Sequence, residues 1–397
     1  MKEGWVQILL GPGRHVTWAA GMEASKKGML DWVSLDAWGK LPVEFQSLSK
    51  LQLLYVYRNK LTGRIPPQYG NLSSLIRFAV DENNLQGDIP NDFVSIDLQS
   101  NQFEGSLSLP PNMSGSDTFP RLEFLSVAHN RFIGHIPLWL SYALNIEVIE
   151  LSDNYFTGQV PNFGSLKHLR ILSFYENEHL GSGKSRDLRF LAPLTNCTDL
   201  QYLDFGGCKF GGDLPPYIAN ISNLNTFNIE DNYISGKIPT EIGQLINLER
   251  LVLMDNQLSG TIPNTIGKLP KLFLLILERN KLLGEIPSSL GNVTMLSVLT
   301  ISSNNLQGVI PSSLANCKFL LHIDLYANNL NGFIPKGLFS SNGGLFLASG
   351  VEALAPEVRD VIELAYDYHN LHQHGYVRRV QGLKSKARKF PGSLFVA

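Results

Sequence analysis

The 397-residue chain carries a formal net charge of −2, with 33 Lys and Arg residues against 35 Asp and Glu residues, so its overall charge favours neither nucleic acid nor an anionic membrane. Apolar residues make up 44% of the chain, which suits a folded core and excludes wholesale disorder. No apolar run approaches the roughly 18–20 residues of a membrane-spanning helix. Gly11-Pro12-Gly13 ends the N-terminal apolar stretch early, so the sequence predicts neither a signal peptide nor an anchor.

A repeated pattern of apolar residues, asparagine, glycine and proline begins after an atypical N-terminal segment, residues 1–38. In the stretch LERLVLMDNQLSGTIP, residues 248–263, Leu251 and Leu253 are predicted to enter a core while Met254 faces outward on a short strand. The asparagine slot recurs at a mostly constant interval, and its amide is predicted to turn the chain and bond backbone groups. Twelve residues form this predicted structural ladder: Asn59, Asn83, Asn101, Asn130, Asn154, Asn177, Cys208, Asn232, Asn256, Asn280, Asn304 and Asn328.

The string GSGKS, residues 181–185, looks like the end of a phosphate-binding loop. Such a loop needs glycine at position 178, where this chain has Glu178, and a strand–loop–helix unit around it. Gly181 instead holds the ordinary repeat glycine position, the fourth after Asn177. We therefore predict an irregular loop over Glu178–Asp187, in a repeat that loses its second strand at the edge of a ligand-binding face. No nucleotide, cofactor or catalytic residue is predicted.

The three cysteines are too few and too scattered for a disulfide framework or a zinc site. Cys208 takes a ladder position. Cys197 and Cys317 occupy the same earlier slot of their repeats, which is otherwise leucine, isoleucine or valine. We predict buried structural roles for all three, and no metal site.

The repeat ending L-x-G-x-I-P resembles the plant-specific class of leucine-rich repeats. The stretch SRDLRFLAPLTNCTDLQYLDF, residues 185–205, is similar to an irregular repeat in ectodomains of plant receptor Ser/Thr kinases that sense bacterial proteins. The resemblance implies an α/β repeat solenoid over residues 39–340: a right-handed superhelical array of about 12 repeats of about 24 residues, with a parallel β-sheet on its concave face.

The chain departs from that family in three respects. It lacks the paired-cysteine cap before the first repeat, a membrane helix after Pro335, and the motifs of a protein kinase. We therefore expect a truncated or rearranged copy of a receptor gene.

Five N-x-S/T sequons support the extracellular or plasma-membrane-associated location that the resemblance implies. Four of them share one slot, midway between successive ladder positions, and so belong to the convex back, where a glycan leaves the concave face open. The predicted glycosylation sites are Asn71, Asn112, Asn196, Asn220 and Asn292.

Outward strand positions supply the predicted binding surface, and they are rich in carboxylates and tyrosines. Carboxylates pair with Arg and Lys, so we predict a peptide or protein ligand with basic groups, together with a possible co-receptor that has its own leucine-rich-repeat ectodomain. No nucleic acid is expected. The predicted ligand-binding residues are Tyr175, Glu176, Asp204, Glu230, Asp231, Met254, Asp255, Glu278 and Arg279.

The tail, residues 341–397, breaks the repeat template. Glu352–His372 has helical spacing, and Arg378–Lys389 carries six basic residues that are predicted to form a disordered basic end. His369, His372 and His374 lack partners at metal-ligand spacing, so they are read as a solvated helix end.

The favoured function is non-catalytic recognition of a protein or peptide by a receptor-like protein in plant signalling or defence. Two alternatives stay open at this stage. One is a soluble inhibitor of a secreted cell-wall-degrading enzyme, similar to the polygalacturonase inhibitors. The other is a fragment of a receptor Ser/Thr kinase whose catalytic domain is missing.

Overall fold

The computed structural model describes residues 29–31, 38–87, 89, 94–107, 121–340 and 346–347. Their contacts divide into two compact units. The first unit comprises Met1–Ser182, Arg189–Leu200 and Gly207–Lys209, and the second comprises Gly183–Leu188, Gln201–Gly206 and Phe210–Ala397, each only where the structure describes it.

Each unit is built on short parallel strands, one for each repeat, whose alternate residues enter the core. Neighbouring strands pair in register, as Leu251 with Leu275 and Leu275 with Leu299, so equivalent residues of successive repeats form rows. In the first unit these main strands are β1 (Met29–Asp31), β3 (Leu53–Tyr55), β5 (Arg77–Ala79), β7 (Ser95–Asp97), β9 (Phe124–Ser126), β11 (Val148–Glu150) and β13 (Ile171–Ser173). In the second unit they are β14 (Tyr202–Asp204), β16 (Thr226–Asn228), β18 (Arg250–Val252), β20 (Leu274–Ile276), β22 (Val298–Thr300), β24 (His322–Asp324) and β26 (Phe346–Leu347).

A second set of short parallel strands follows the ladder positions. In the first unit these are β2 (Trp38–Gly39), β4 (Lys60–Gly63), β6 (Asn84–Leu85), β8 (Glu104–Ser106), β10 (Arg131–His135) and β12 (Tyr155–Thr157). In the second unit they are β15 (Gly211–Asp213), β17 (Tyr233–Ser235), β19 (Ser259–Gly260), β21 (Lys281–Glu285), β23 (Asn305–Val309) and β25 (Asn329–Asn331). After the second strand, most described repeats return to the next main strand through a helical turn, while the return from β12 to β13 has bends and turns only.

The returning turns are 3₁₀ helices, because each closes with bonds between residues three apart, such as Leu72 N–H to Tyr69 O at 3.1 Å. The helical parts of the repeats are thus 3₁₀ turns for the most part. Among the described residues, one α-helix occurs, α1 (Leu191–Leu194), in the irregular repeat. The 3₁₀ helices are Val43–Ser47, Pro67–Asn71, Leu138–Tyr142, Asp187–Phe190, Pro216–Asn220, Thr240–Gln244, Asn264–Lys268, Ser288–Asn292, Ser312–Asn316 and Lys336–Ser340.

The asparagines join each repeat to the one before it. Asn83 Nδ2 donates to the carbonyl oxygens of Val80 and Asp81 in its own repeat, at 3.0 and 3.1 Å. It also donates to Val56 O at 2.8 Å, and its Oδ1 accepts the N–H of Leu61 at 3.0 Å, both in the preceding repeat. The amide therefore satisfies buried backbone groups that the strands leave without partners.

The sharp turn lies one residue before the asparagine, not at it as the sequence analysis expected. Across the part of the chain that the structure describes, twelve non-glycine residues have positive φ, and eleven of them directly precede a ladder asparagine, for example Asp153 at 50° and Ala327 at 52°. Before Cys208 the same position is Gly207, with a φ of 65°. This left-handed residue lies between the main strand and the asparagine, and it places the amide against the preceding repeat.

The predicted leucine-rich-repeat fold with its parallel sheet is confirmed. One main strand lies further upstream than the sequence suggested. Met29–Asp31 pairs with β3, although these three residues belong to the N-terminal segment that was predicted to precede the repeats. The tail helix, its three histidines, the basic run and Asn112 lie outside the described residues. No helix of the described residues is long and apolar enough to cross a membrane.

Candidate ligand-binding face

The outward side chains of the main strands, with the two residues directly before each ladder position, form a surface that we call the strand face. Successive side chains point alternately into the core and onto the strand face. Phe227 and Ile229 are fully buried in the core, while Thr226, Asn228 and Glu230 lie on the face. The nine predicted ligand-binding residues all belong to this surface, but they fall in different units. Tyr175 and Glu176 belong to the first unit and the other seven to the second.

Tyr175 and Glu176 are half-buried at the end of β13. Glu176 is the left-handed residue of its repeat, with a φ of 55°. Gly207 packs against it, since a Cβ at Gly207 would lie 3.1 Å from the Glu176 Cδ atom. The absence of a side chain at Gly207 leaves room for the Glu176 carboxylate.

Asp204 is buried and fully engaged with its own unit. Its Oδ2 accepts the Tyr202 hydroxyl at 2.9 Å and the Asn228 amide at 3.3 Å, while its Oδ1 accepts the N–H of Gly206 at 3.1 Å. These bonds explain how a carboxylate is accommodated at this position, and they leave it little capacity for a ligand.

Asp255 and Arg279 pair with each other. Arg279 Nε donates to Asp255 Oδ1 at 2.6 Å and Nη2 donates to Oδ2 at 2.7 Å, a bidentate geometry. Arg279 Nη2 also lies 3.3 Å from Glu278 Oε1. Burial raises the pKa of Glu278, and Arg279 opposes that shift. Two of the predicted ligand-binding carboxylates are therefore already in contact with a cation of the same surface.

Glu230 and Asp231 differ in exposure. Glu230 is buried, whereas Asp231 is exposed and takes the left-handed position of its repeat, with a φ of 47°. Asp231 is thus a predicted carboxylate of the second unit that an approaching ligand can reach directly.

The centre of the second unit's strand face is apolar, which the sequence analysis did not single out. Val252, Leu274, Ile276 and Val298 form one buried cluster, and partly buried Met254 packs against it. The signal was available, because all four stand at outward strand positions counted back from a ladder asparagine. The sequence analysis selected charged residues and tyrosines among the outward positions, and it therefore overlooked this apolar stripe.

The GSGKS segment lies on the flank formed by the second strands. A cleft of about 490 Å³ in the second unit is lined by Gly183, Ser185, Gly212, Asp213, Tyr233, Ser235 and Gln257. The sequence analysis predicted that the repeat after Asn177 loses its second strand. The strand pairing agrees, since His179 makes only an isolated bridge to Thr157. Gly183 sits directly on Gly211, where any Cβ would strike its backbone, so the segment packs as structure and not as a phosphate cradle.

The three cysteines are free and buried. Cys208 Sγ contacts Phe174 O at 3.0 Å, supplying one of the donors that an asparagine would supply. Burial raises the pKa of the Cys197 and Cys317 thiols to about 11, which keeps both protonated at neutral pH. Among the described residues, no group of three or more His, Cys, Asp or Glu side chains could hold a metal ion.

Four of the five sequon asparagines are described, and all are exposed. Asn71, Asn220 and Asn292 are the last residues of 3₁₀ helices, and Asn196 follows α1. These helical turns lie between the second strand of one repeat and the main strand of the next, and not on the strand face.

Comparison with known families agrees with this architecture. Residues 151–329 match a family model described as a leucine-rich repeat region, and residues 50–72 match a leucine rich repeat model. With the parallel strands and the asparagine ladder described above, these matches make the chain a leucine-rich-repeat protein.

Several relatives of the chain are named as plant receptor-like kinases or receptor-like proteins. A probable leucine-rich-repeat receptor-like serine/threonine-protein kinase of Arabidopsis thaliana is 51% identical over 65 residues, which is 16% of this chain and 6% of that protein. Among solved structures, that of a TDR receptor is 28% identical, covers 79% of this chain and 56% of its own, and has a TM-score of 0.70. The Arabidopsis receptor kinase HAESA, in complex with the peptide hormone IDA and a co-receptor, is 26% identical over 82% of this chain and 63% of its own, with a TM-score of 0.62. The matched segment thus spans only a small part of the curated kinase.

Proposed function

We propose that this protein is a non-catalytic recognition module of the plant receptor type, and that the strand face binds a peptide or protein ligand. The observation that carries the proposal is the composition of that face in the second unit. Partly buried Met254 packs against the buried apolar stripe, and it lies next to the exposed carboxylate of Asp231 and the Asp255–Arg279 pair. An accessible apolar side chain beside charged groups is a usual combination at a protein-binding surface.

Peptide recognition also fits the relatives. The HAESA structure contains a peptide hormone and a co-receptor, and its fold aligns with most of this chain. An extended peptide laid across parallel strands meets one repeat after another, so a long ligand gains many small contacts from the rows. On this proposal the protein acts outside the cell or at the plasma membrane, with glycans on the exposed sequons of the helical turns.

A selection from a random linear-peptide phage library tests the proposal. The immobilised full chain is expected to enrich a consistent peptide sequence. The doubly substituted Asp231→Lys/Met254→Arg variant should then weaken binding of the enriched peptide at least tenfold in calorimetry, because it removes an accessible charge and part of the apolar stripe. A matched variant with lysine at the rear positions Ser222 and Asn247 should bind as the parent does.

The proposal is wrong for this face if the enriched peptide binds the Asp231→Lys/Met254→Arg variant as tightly as the parent while circular dichroism shows both to be folded. Failure to enrich any peptide above the level of an unrelated protein would contradict peptide recognition itself.

A further inference from the structure

The irregular loop beside β15 forms one wall of a cleft on the flank of the second unit where the second strands lie. The cleft has a volume of about 490 Å³ and is lined by Gly183, Ser185, Gly212, Asp213, Tyr233, Ser235 and Gln257. All of these residues belong to the second unit. The volume falls within the roughly 300–1,000 Å³ of sites that hold small molecules, so the lining side chains determine what the cleft can hold.

Glycines bring the loop into contact with β15. A Cβ atom at Gly211 would strike the backbone of Gly183, and one at Gly212 would lie 2.9 Å from the Ser185 carbonyl oxygen. The Asp187 carboxylate fastens the loop to the strand, because its Oδ2 atom accepts the N–H of Gly211 at 3.0 Å. The loop is therefore a fixed wall of the cleft.

Tyr233 presents an aromatic ring to the cleft. It is the first residue of β17 and directly follows the ladder residue Asn232. The ring packs on Gly183, since a Cβ atom there would lie 3.2 Å from the Tyr233 Cδ2 atom. Gly183 has a φ of 70°, a conformation that glycine adopts without strain. The loop thus supports the ring on one side, while 48% of the tyrosine stays exposed.

Three exposed polar side chains of the cleft keep hydrogen-bonding capacity for a ligand. Asp213 Oδ1 accepts the Ser235 hydroxyl at 2.7 Å, which leaves the Asp213 Oδ2 atom as an acceptor. Gln257 Oε1 accepts the Lys281 ammonium at 3.2 Å. Because an ammonium only donates, this bond fixes the orientation of the Gln257 amide and leaves its NH₂ group as a donor. Ser185 adds a hydroxyl that both donates and accepts.

This lining excludes several classes of ligand. It contains a carboxylate and neither lysine nor arginine, so it repels phosphate, sulfate and carboxylate groups. Its one large apolar surface is the ring of Tyr233, which is too small to bury a lipid chain. A cationic ligand is disfavoured as well, because Lys281 contacts Gln257 and Ser235 already donates to Asp213. A neutral ligand with many hydroxyl groups meets none of these objections.

We propose that this cleft is a binding site for a neutral saccharide. A sugar ring has a face of C–H groups, which stacks on an aromatic ring such as that of Tyr233, and an edge of hydroxyls that both donate and accept. The Asp213 carboxylate accepts hydrogen bonds from such hydroxyls, and the Gln257 amide donates to them. The site lies on the flank of the second strands and not on the strand face, so it goes beyond peptide recognition and does not rest on it.

The test is calorimetry of the full chain with the neutral probes cellotetraose, chitotetraose and mannotetraose and the anionic probe tetragalacturonic acid. We expect at least one neutral probe to bind and the anionic probe not to bind. Tyr233→Ala should weaken the bound probe about tenfold, whereas Tyr233→Phe keeps the ring and should stay within about twofold of the parent. Asp213→Asn should also weaken binding, because it removes the charged acceptor and keeps the shape. The matched control Tyr155→Ala replaces a half-exposed tyrosine that also directly follows a ladder asparagine, but in the first unit and outside this cleft, and should leave binding unchanged.

Further measurements separate this site from misfolding and from the strand face. If circular dichroism shows that Tyr233→Ala melts earlier than the parent, the result is decided by Asp213→Asn. The Asp231→Lys/Met254→Arg variant should bind the saccharide as the parent does, and a phage-selected peptide should bind Tyr233→Ala as it binds the parent. Unchanged saccharide binding by folded Tyr233→Ala and Asp213→Asn, no binding of any neutral probe at millimolar concentration, or a preference for the anionic probe would overturn the saccharide site and leave peptide recognition untouched.

Discussion

Replacing Asn256 with alanine measures what one ladder asparagine contributes. Its Nδ2 donates to the carbonyl oxygens of Ile229 and Met254 at 2.8 and 3.0 Å, and more weakly to Leu253 O at 3.4 Å. Its Oδ1 accepts the Ile234 N–H at 2.9 Å. All three carbonyls keep another donor; Leu253 O, for example, keeps the Asn280 amide at 2.9 Å.

The main loss in Asn256→Ala is therefore the acceptor of one buried N–H, at about 1–3 kcal/mol, with smaller losses from the three carbonyl bonds. We expect the free energy of unfolding to fall by about 3 kcal/mol, measured by urea unfolding with circular dichroism. Faster hydrogen exchange at the Ile234 amide should accompany it. Asn305→Ala, at an exposed asparagine on β23, is the matched control and should change stability by less than about 0.5 kcal/mol. Equal losses in the two variants would refute the ladder reasoning.

Two further predictions concern burial. Burial raises the pKa of Glu150 to about 7 against the opposing Ser152 hydrogen bonds, whereas the unfolded side chain titrates near 4.5, so stability should fall by roughly 3 kcal/mol as pH rises from about 4.5 to about 7. Glu150→Gln should flatten that part of the pH profile in urea unfolding, and an unchanged slope would contradict the shift. Gly267→Ala should cost about 1–3 kcal/mol, because its Cβ would lie 2.7 Å from the Ser289 Cβ atom in the next 3₁₀ helix. Exposed Lys268→Ala is its control, and equal urea midpoints for the two variants would show that the contact relaxes freely.

The fold could be predicted from sequence because its signal repeats. Each copy of the template adds an independent instance of the same buried leucines and the same asparagine, so one degraded copy does not obscure the period. Features that do not require a particular residue type could not be predicted from the sequence. The left-handed position before each asparagine accepts Arg58, His129 and Ala327 alike, so composition gives no sign of it.

Asp97, a buried acid of the first unit, was missed for a different reason. The step from Asn83 to Asn101 is shorter than the usual step from one ladder position to the next, which makes that repeat look degraded. Counting back from each ladder position nevertheless places both Asp97, ahead of Asn101, and Asp81, ahead of Asn83, at outward strand-face positions. The register shows that both counts hold in the shortened repeat, since β7 pairs normally with β5 and β9.

The position of a charge within its repeat tells more about its role than its sign does. Residues directly before a ladder asparagine meet the equivalent residue of the next repeat. Arg58 pairs with Glu82 at 3.0 Å and Asp255 pairs with Arg279, while the His129 Nδ1 atom lies 2.7 Å from Asp153 Oδ2. These pairs are partly exposed and stabilise little, but the Asp255–Arg279 pair joins two residues that the sequence analysis assigned to a ligand. Carboxylates further back on the strand face, such as Asp81, Asp97 and Asp204, are instead buried between neighbouring strands. A charge there either receives donors from its own unit, as Asp204 does, or keeps an unfilled acceptor, as Asp81 does.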